Sequence, residues 1–408
     1  MLSPHAPYPP NSGGRVRTWE QIKYFGQRHD VTAVYYALTE DEYEMSRSIE
    51  KCCTKAIPVK RSKNISPDDL EELHKLPWPI RGCFTSDMRR TLEELRPAYF
   101  DIVIIEFIYM AHYRDLFPPC TILHEHNIES SIYRQYSEMP NISQEHIYGI
   151  KKQRAFWKAT WMLMEEYENK IWPRFPLRVV VSQKDKQEMD RRCHSGRSVV
   201  TENGADTRSI TLPDNGNSHK ILFMGTMDYY PNTDAVTYLI KSIMPFIWKK
   251  DPTVSLCIAG KNPPESVREF ASSPKIEVIA NPEDMNEVAR KCCLTLVPLR
   301  LGGGTRIKIL DSLAMGLPVV STSLGCEGLS VRDGSHIIVR DNPEQFADAV
   351  LQIISDPFLA KSLRTNGRRL VEKHYDWGLI FRQFEQELLR LVEENGEKRL
   401  KGNGDRSD

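Results

Sequence analysis

Short apolar runs alternate with helical stretches along this chain, and the whole alternation occurs twice. The first block has apolar runs at 31–36, 102–105, 121–123 and 178–181, with helical periodicity between them, as at 15–27 and 87–95. Continuous apolar runs of this length are typical of parallel strands that are covered on both faces. The pattern therefore predicts a doubly wound α/β domain.

A second block of the same kind follows a stretch of turn-forming residues. Asn, Gly, Asp and Pro are concentrated at 202–206 and 212–217, and apolar runs resume at 220–224, 254–259, 276–279, 294–297, 318–321 and 337–339. We predict a first domain over 1–200, a linker over 201–218 and a second domain over 219–375. A helix over 376–394 is predicted to pack back toward the first domain, and a tail over 395–408 to be disordered.

Length and charge limit the class of protein. A chain of 408 residues exceeds what one core usually serves, and its 55 Lys and Arg balance its 55 Asp and Glu. No overall field therefore favours nucleic acid. No apolar run approaches the roughly 20 residues of a membrane span, and no signal peptide is evident, so we expect a cytoplasmic protein. The nine cysteines lack zinc-type spacing and are expected to be reduced and buried.

The segment 297–320 has the order of an anion site. It predicts a strand end, a glycine-rich loop, a short helix and another strand. Glycines let backbone N–H groups approach a ligand, and the helix N-terminus adds unpaired N–H groups and a positive dipole end. Arg306 and Lys308 add charge, and Asp311 is suited to accept ribose hydroxyls. The predicted nucleotide site comprises Gly302, Gly303, Gly304, Thr305, Arg306, Lys308 and Asp311; an ordinary glycine-rich connection is the alternative.

Five motifs in order resemble the glycosyltransferases of GT-B architecture, within the large retaining group classed as family 4. They are PYPPNSGGRVR at 7–17, HEHNIES at 124–130, TENGAD at 201–206, FMGTMDYYPN at 223–232, and the glycine segment. The resemblance covers residues 7 to about 391. It implies two Rossmann-like domains facing a cleft, a nucleotide-diphosphate sugar donor, a hydroxyl acceptor (glycan, lipid-linked saccharide or small molecule) and retention of configuration. It implies no metal and no other cofactor.

The resemblance also suggests site residues in the first domain. By position, His126 matches the family histidine that contacts the donor sugar near the reacting centre, with Asn127 and Glu129 orienting it or contacting acceptor. Across the cleft, the glycine loop that contains Gly13, Gly14 and Arg15 is expected to approach the donor phosphate, and Gly225 belongs to the opening loop of the donor domain. Arg306 and Lys308 would neutralise the diphosphate.

Two departures from the family pattern leave alternatives open. Of two glutamates that the family places eight positions apart, the first is Gly303 here and the second is Asp311. The usual Arg and Lys after the Phe-x-Gly strand are also absent, replaced by Thr226, Met227, Asp228 and Pro231. A catalytically silent GT-B partner protein and a GT-B nucleotide-sugar 2-epimerase therefore remain alternatives. A metal pair of His124 and His126 is another, although the sequence offers no evident third ligand.

The stretch 60–90 bears on the acceptor. It carries Lys60, Arg61, Lys63, Arg81, Arg89 and Arg90, with Trp78 and Phe84 among them. Such a surface suits an anionic acceptor or peripheral contact at the inner membrane face, whereas an ordinary solvated surface favours a soluble acceptor.

Overall fold

The computed structural model of the protein describes residues 1–61, 65–96, 99–138, 154–208, 218–304 and 306–404. Within these ranges the chain forms two parallel sheets with helices on their faces, which confirms the predicted α/β class. None of the described helices is long and apolar enough to cross a membrane.

The first sheet contains seven strands in the described ranges, in the order β3-β2-β1-β4-β5-β6-β7. The strands are β1 (Leu2–Ser3), β2 (Thr32–Ala37), β3 (Lys55–Lys60), β4 (Val103–Glu106), β5 (Thr121–His124), β6 (Leu177–Val180) and β7 (Arg197–Val200). The helices are α1 (Gly13–Gly26), α2 (Glu40–Glu44), α3 (Ser46–Glu50), α4 (Pro67–Lys75), α5 (Trp78–Arg81), α6 (Ser86–Glu94), α7 (Glu129–Glu138), α8 (Arg154–Ile171) and α9 (Gln183–Arg192).

The second sheet contains six strands in the described ranges, in the order β10-β9-β8-β11-β12-β13. The strands are β8 (Lys220–Met224), β9 (Ser255–Gly260), β10 (Ile276–Ala280), β11 (Leu294–Val297), β12 (Val319–Ser321) and β13 (Ile338–Val339). The helices are α10 (Tyr230–Tyr238), α11 (Met244–Lys250), α12 (Glu265–Arg268), α13 (Met285–Ala289), α14 (Ile307–Ala314), α15 (Pro343–Ser355), α16 (Pro357–His374) and α17 (Trp377–Gly404).

Both sheets reverse their strand order beside their first strand, at β1/β4 and at β8/β11. Ligands of doubly wound sheets bind at such reversals, outside the carboxyl ends of the strands. His124 follows this rule in the first domain because it ends β5, next to β4. The glycine loop follows it in the second domain because it begins after β11.

The sequence pattern does not predict three of the strands, and each case has a physical reason. The strand β1 has only two residues, and β3 carries Pro58 and ends in lysines, which a strand at the sheet edge tolerates. The strand β7 is the opposite edge and includes Arg197 and Ser198. Partly polar edge strands need not show the continuous apolar runs of central parallel strands.

The helix α17 returns to the first domain. Its Phe381 and Phe384 are buried and lie beside Phe25 of α1, with ring centroids 6.2 and 5.9 Å away. The helix also extends to Gly404, so the prediction of a disordered segment beginning at residue 395 is wrong over 395–404. Asn395 donates to the Leu391 carbonyl four residues earlier, and the Glu, Lys and Arg that follow are good helix formers. Residues 405–408 lie outside the described residues.

Candidate active site between the two sheets

The strand ends of the first domain bring two histidines onto one buried carboxylate. Glu106 ends β4 opposite His124 in the parallel register, and His126 lies two residues further along. The Glu106 Oε2 atom is 3.2 Å from His124 Nδ1 and 2.8 Å from His126 Nε2. Gln21 of α1 donates to Oε1 of the same carboxylate at 2.9 Å.

The charges of this cluster follow from burial and hydrogen bonding. Burial opposes ionisation of Glu106, but its contacts with His124 and His126 outweigh burial and hold the pKa of Glu106 well below its usual range. Burial lowers the pKa of His126, and lowers that of His124 to about 3. At neutral pH Glu106 is therefore an anion between two neutral imidazoles, and it accepts the Nε2–H of His126.

Arg17 fixes the tautomer of His124. Its Nε donates to His124 Nε2 at 2.9 Å, so the remaining proton of that neutral ring is on Nδ1 and points to Glu106. Potential ligand atoms of Glu106, His124 and His126 lie within 4.8 Å of one another, which supplies the third group that the predicted metal pair lacked. In this arrangement, however, both ring nitrogens facing Glu106 carry protons and have no lone pair for an ion. An ion would have to displace these protons, so the metal alternative stays a prediction.

His126 is held from its other face by Phe107. The two rings stack with centroids 3.8 Å apart. Phe107 adopts a positive φ of 65°, uncommon for a residue with a side chain, as the chain turns out of β4. A Cβ atom at Gly14 would lie only 2.6 Å from Phe107 Cζ, so Gly14 is required for this close packing.

The Gly13–Gly14 pair begins helix α1 and contributes to packing within and between the domains. A Cβ atom at Gly13 would lie 3.6 Å from Ile307 Cδ1 in the second domain. Arg15 forms an ion pair with Glu42 at 2.6 Å, so its guanidinium group is engaged within the first domain. The phosphate contacts assigned to Gly13, Gly14 and Arg15 stay predictions.

The glycine loop of the second domain lies directly on the His126 segment. A Cβ atom at Gly304, where φ is 63°, would lie 2.6 Å from the His126 carbonyl oxygen. Gly302 N–H donates to Gln135 Oε1 at 3.0 Å, and Gln135 Nε2 donates to the Gly302 carbonyl at 3.2 Å. In this arrangement α7 of the first domain uses that donor, and the anion contact assigned to Gly302 stays a prediction. Thr305 lies outside the described residues.

The missing glutamate at position 303 has a steric explanation. A Cβ atom there would lie 3.3 Å from Ile132 Cγ1 and 3.4 Å from Asn127 Oδ1. The first distance is tighter than most side-chain contacts, so a side chain at position 303 would require Ile132 to shift by a few tenths of an ångström. Glycine at position 303 thus allows the close approach of the two domains.

Arg306 retains unused hydrogen-bond donors. Its Nη1 donates to the carbonyl oxygens of Gly303 and Gly304, whereas its buried Nε and Nη2 atoms have no partner in the described part of the chain. Burial lowers the pKa of Arg306, yet a guanidinium group keeps its charge in proteins. A buried donor without a partner costs about 1–3 kcal/mol, so this geometry suits an anionic ligand.

Lys308 lies beside Arg306 and faces Gly225. Its Nζ donates to Asn232 Oδ1 at 2.6 Å and is 4.7 Å from the centroid of the Phe223 ring. Burial, and secondarily Arg306, lower the pKa of Lys308 to about 7. A Cβ atom at Gly225 would come within 2.9 Å of Lys308 Nζ, which explains the glycine there.

Asp311 lies in α14 on the side of the linker. Burial raises its pKa to about 7, and the charges of Glu20 and Asp206 add to that rise. The ribose contact assigned to Asp311 stays a prediction.

Sequence reasoning missed several groups of this site, including Glu106, Phe107 and Gln135. Glu106 was the easiest of them to predict, because it ends an apolar run on the strand next to the histidine strand. Parallel neighbours present their carboxyl ends at one edge, so the strand order would have indicated it.

The comparisons with known proteins agree with this architecture. Residues 218–356 match the family described as glycosyl transferases group 1. A Klebsiella pneumoniae protein described as an uncharacterized 44.6 kDa protein in cps region is 22% identical over 93% of this chain and 97% of its own length. An uncharacterized glycosyltransferase of Methanocaldococcus jannaschii is 26% identical over 49% of this chain and 55% of its own length.

Two solved structures share the fold over almost the whole chain. HepE of Anabaena, in complex with UDP and glucose, has a TM-score of 0.67 and 11% identity, and covers 95% of this chain and 98% of its own. Sucrose-phosphate synthase from Thermosynechococcus elongatus has a TM-score of 0.69 and 14% identity, and covers 96% and 99%. The fold is GT-B, and the family match and shared architecture together support glycosyl transfer in general.

Proposed function

We propose that the protein is a retaining glycosyltransferase that moves a sugar from a nucleotide diphosphate to a hydroxyl acceptor without a metal ion. The observation that carries the proposal is the pair of buried guanidinium nitrogens of Arg306 that have no partner among the described residues, beside Lys308 and close to His126. The complex of the Anabaena neighbour with UDP and glucose supports the donor class.

In the proposed reaction the protein stabilises the leaving group. Cleavage of the bond between sugar and diphosphate builds negative charge on the phosphate; Arg306 supplies fixed positive charge there, and Lys308 adds its charge when protonated. The departing phosphate helps to deprotonate the acceptor on the same face of the sugar, which retains configuration. His126 contacts the sugar near the reacting carbon, held in orientation by Glu106 and Phe107.

The basic stretch 60–90 favours a soluble acceptor in this proposal, because most of its described cations are already paired. Arg89 contacts three carboxylates, Arg90 pairs with Asp87, and Lys60 pairs with Glu40. Lys63 lies outside the described residues. Paired cations attract an anionic membrane surface weakly, so an ordinary solvated surface is the better interpretation.

A thermal-shift screen tests the donor class. In the presence of EDTA, one of UDP, GDP, ADP and dTDP, with its sugar conjugates, is expected to raise the melting temperature. At a ligand concentration of 100 times the dissociation constant, binding stabilises the folded state by about 2.7 kcal/mol. No shift with any nucleotide would favour a silent GT-B protein, and a shift that EDTA abolishes would contradict metal-independent binding.

Replacing His126 by alanine tests its role in the first domain. We expect transfer to fall about 100-fold or more, because the group that contacts the reacting sugar is lost. The affinity for the nucleotide diphosphate should stay within about twofold, because Arg306 and Lys308 remain. Steady-state kinetics and calorimetry measure the two effects.

His219→Ala is the matched control, since His219 is a half-exposed histidine of the second domain that contacts Thr253 and Asp251. Full transfer by the His126 variant would place the reacting centre elsewhere.

A further inference from the structure

Glu129 is a buried carboxylate without a cationic partner. It begins α7, is 7% exposed, and forms no ion pair with the residues that the structure describes. Its Oε2 accepts the Tyr109 hydroxyl at 2.8 Å, and its Oε1 accepts a longer bond of 3.3 Å from Asn127 Nδ2. A carboxylate has about four acceptor positions, so Glu129 retains unused capacity.

The other buried carboxylates of this region are more completely satisfied. Glu168 pairs with Arg192 at 2.7 Å and also accepts from the backbone and hydroxyl of Ser130. Glu125 accepts from the Trp172 indole at 2.8 Å and from the Ile108 N–H at 3.1 Å. Contacts within the fold therefore satisfy the carboxylates of Glu168 and Glu125, whereas the contacts of Glu129 leave acceptor positions unused.

Glu129 is adjacent to both halves of the proposed donor site. Through Asn127 it reaches the glycine loop, since Asn127 Oδ1 lies 3.4 Å from the Cβ position of Gly303. Through Tyr109, whose ring stacks on Phe107, it reaches the ring that supports His126. These contacts connect Glu129 to the glycine loop on one side and to the His126 segment on the other.

Tyr229 supplies a second polar group from across the cleft. It is the N-cap residue of α10 in the second domain. Burial raises the pKa of Tyr229 to about 12, and both Arg306 and Glu129 act on it electrostatically. The Tyr229 carbonyl accepts from Asn232 N–H at 2.9 Å, and Asn232 Oδ1 accepts from Lys308, so Tyr229 lies next to a residue that holds a cation of the proposed phosphate site.

We propose that Glu129 and Tyr229 bind the hydroxyl groups of the transferred sugar, so that the recognised glycosyl group is held by one residue from each domain. The inference rests on the proposed function. Glu129 accepts hydrogen bonds from sugar hydroxyls, Tyr229 donates or accepts one, and Arg306 takes the adjacent phosphate. The diphosphate alone does not reach Glu129.

The test compares a nucleotide with its sugar conjugate. UDP and UDP-glucose are the first probes, followed by the equivalent pair of whichever base the thermal-shift screen selects. Glu129→Gln is expected to weaken UDP-glucose binding about three- to tenfold, because the amide keeps only one of the two acceptor oxygens of the carboxyl group. UDP binding should change less than twofold. Tyr229→Phe should also weaken UDP-glucose binding more than UDP binding, but with a smaller loss.

Glu138→Gln is the matched control, because Glu138 ends the same helix, is 56% exposed and pairs with Arg134. The melting temperatures of the variants establish that they fold. If Glu129→Gln weakens both probes equally or neither, the sugar-binding role is overturned while the proposed function stands. If the wild-type protein binds no nucleotide or conjugate of the screen, the proposed function itself fails.

Discussion

Replacing Arg306 by methionine is expected to reduce glycosyl transfer about 1,000-fold and to leave the free energy of unfolding unchanged or higher. The loss of rate follows from removing the buried cation that faces the developing phosphate charge. Stability is spared because methionine fills similar space without the two buried donors, Nε and Nη2, that lack partners in the described residues. Removing them offsets the lost bonds from Nη1 to Gly303 and Gly304.

Two measurements separate these effects. Initial rates with saturating donor report the catalytic loss, and urea unfolding reports the free energy. Arg300→Met is the matched control, since Arg300 lies six residues earlier, is 43% exposed and forms an ion pair with Asp234. It should retain near-normal transfer. A destabilised Arg306 variant that keeps its activity would show that the guanidinium group serves the loop and not a ligand.

The fold could be predicted largely because its signal is local. Central parallel strands such as β8 and β11 are continuous apolar runs, and their predicted bounds, 220–224 and 294–297, agree with the structure. The edge strand β3 could not be found in the same way, because Pro58 and the terminal lysines break its pattern. Its place depends on pairing with β2, which no short window of sequence contains.

The candidate site could likewise be predicted only where its signal is local in the sequence. The order of glycine loop, cations and helix at 302–311 is contiguous, so sequence could locate it. The partner of Gly302 is Gln135, which is 167 residues away and has no distinguishing local motif. Glu106 likewise becomes significant only when the register of β4 and β5 places it opposite His124. Contacts between distant segments and between the two domains therefore could not be predicted from the sequence.

Arg17→Met is expected to lower the free energy of unfolding by about 3–5 kcal/mol, among the largest effects of a single substitution. Arg17 is fully buried in α1, and its guanidinium group joins the histidine cluster to the start of the predicted linker. It donates to His124 at 2.9 Å, to the carbonyls of Thr201 and Glu202 at 2.8 and 2.7 Å, and to Asn203 Oδ1 at 2.9 Å.

The cost arises from what the substitution leaves behind. Methionine fills part of the space but donates no hydrogen bond, so two carbonyls, an amide oxygen and the His124 ring lose this donor inside the protein. Burial lowers the pKa of Arg17 to about 10, and Glu106 partly opposes this, so the group is charged at neutral pH. The removed interactions are therefore charge-assisted and stronger than neutral ones.

Urea unfolding followed by tryptophan fluorescence measures the change, with Arg28→Met as the control from the loop after the same helix. Arg28 is exposed and lies over the Tyr24 ring at 4.9 Å, so its loss should cost less than about 1 kcal/mol. Because a two-domain chain can unfold in steps, the two transitions are fitted separately. The first-domain transition should carry the loss, since α1 and His124 belong to that sheet. An Arg17 variant as stable as the Arg28 control would mean that water or a rearranged linker satisfies these acceptors, and that Arg17 does not hold the linker to the histidine cluster.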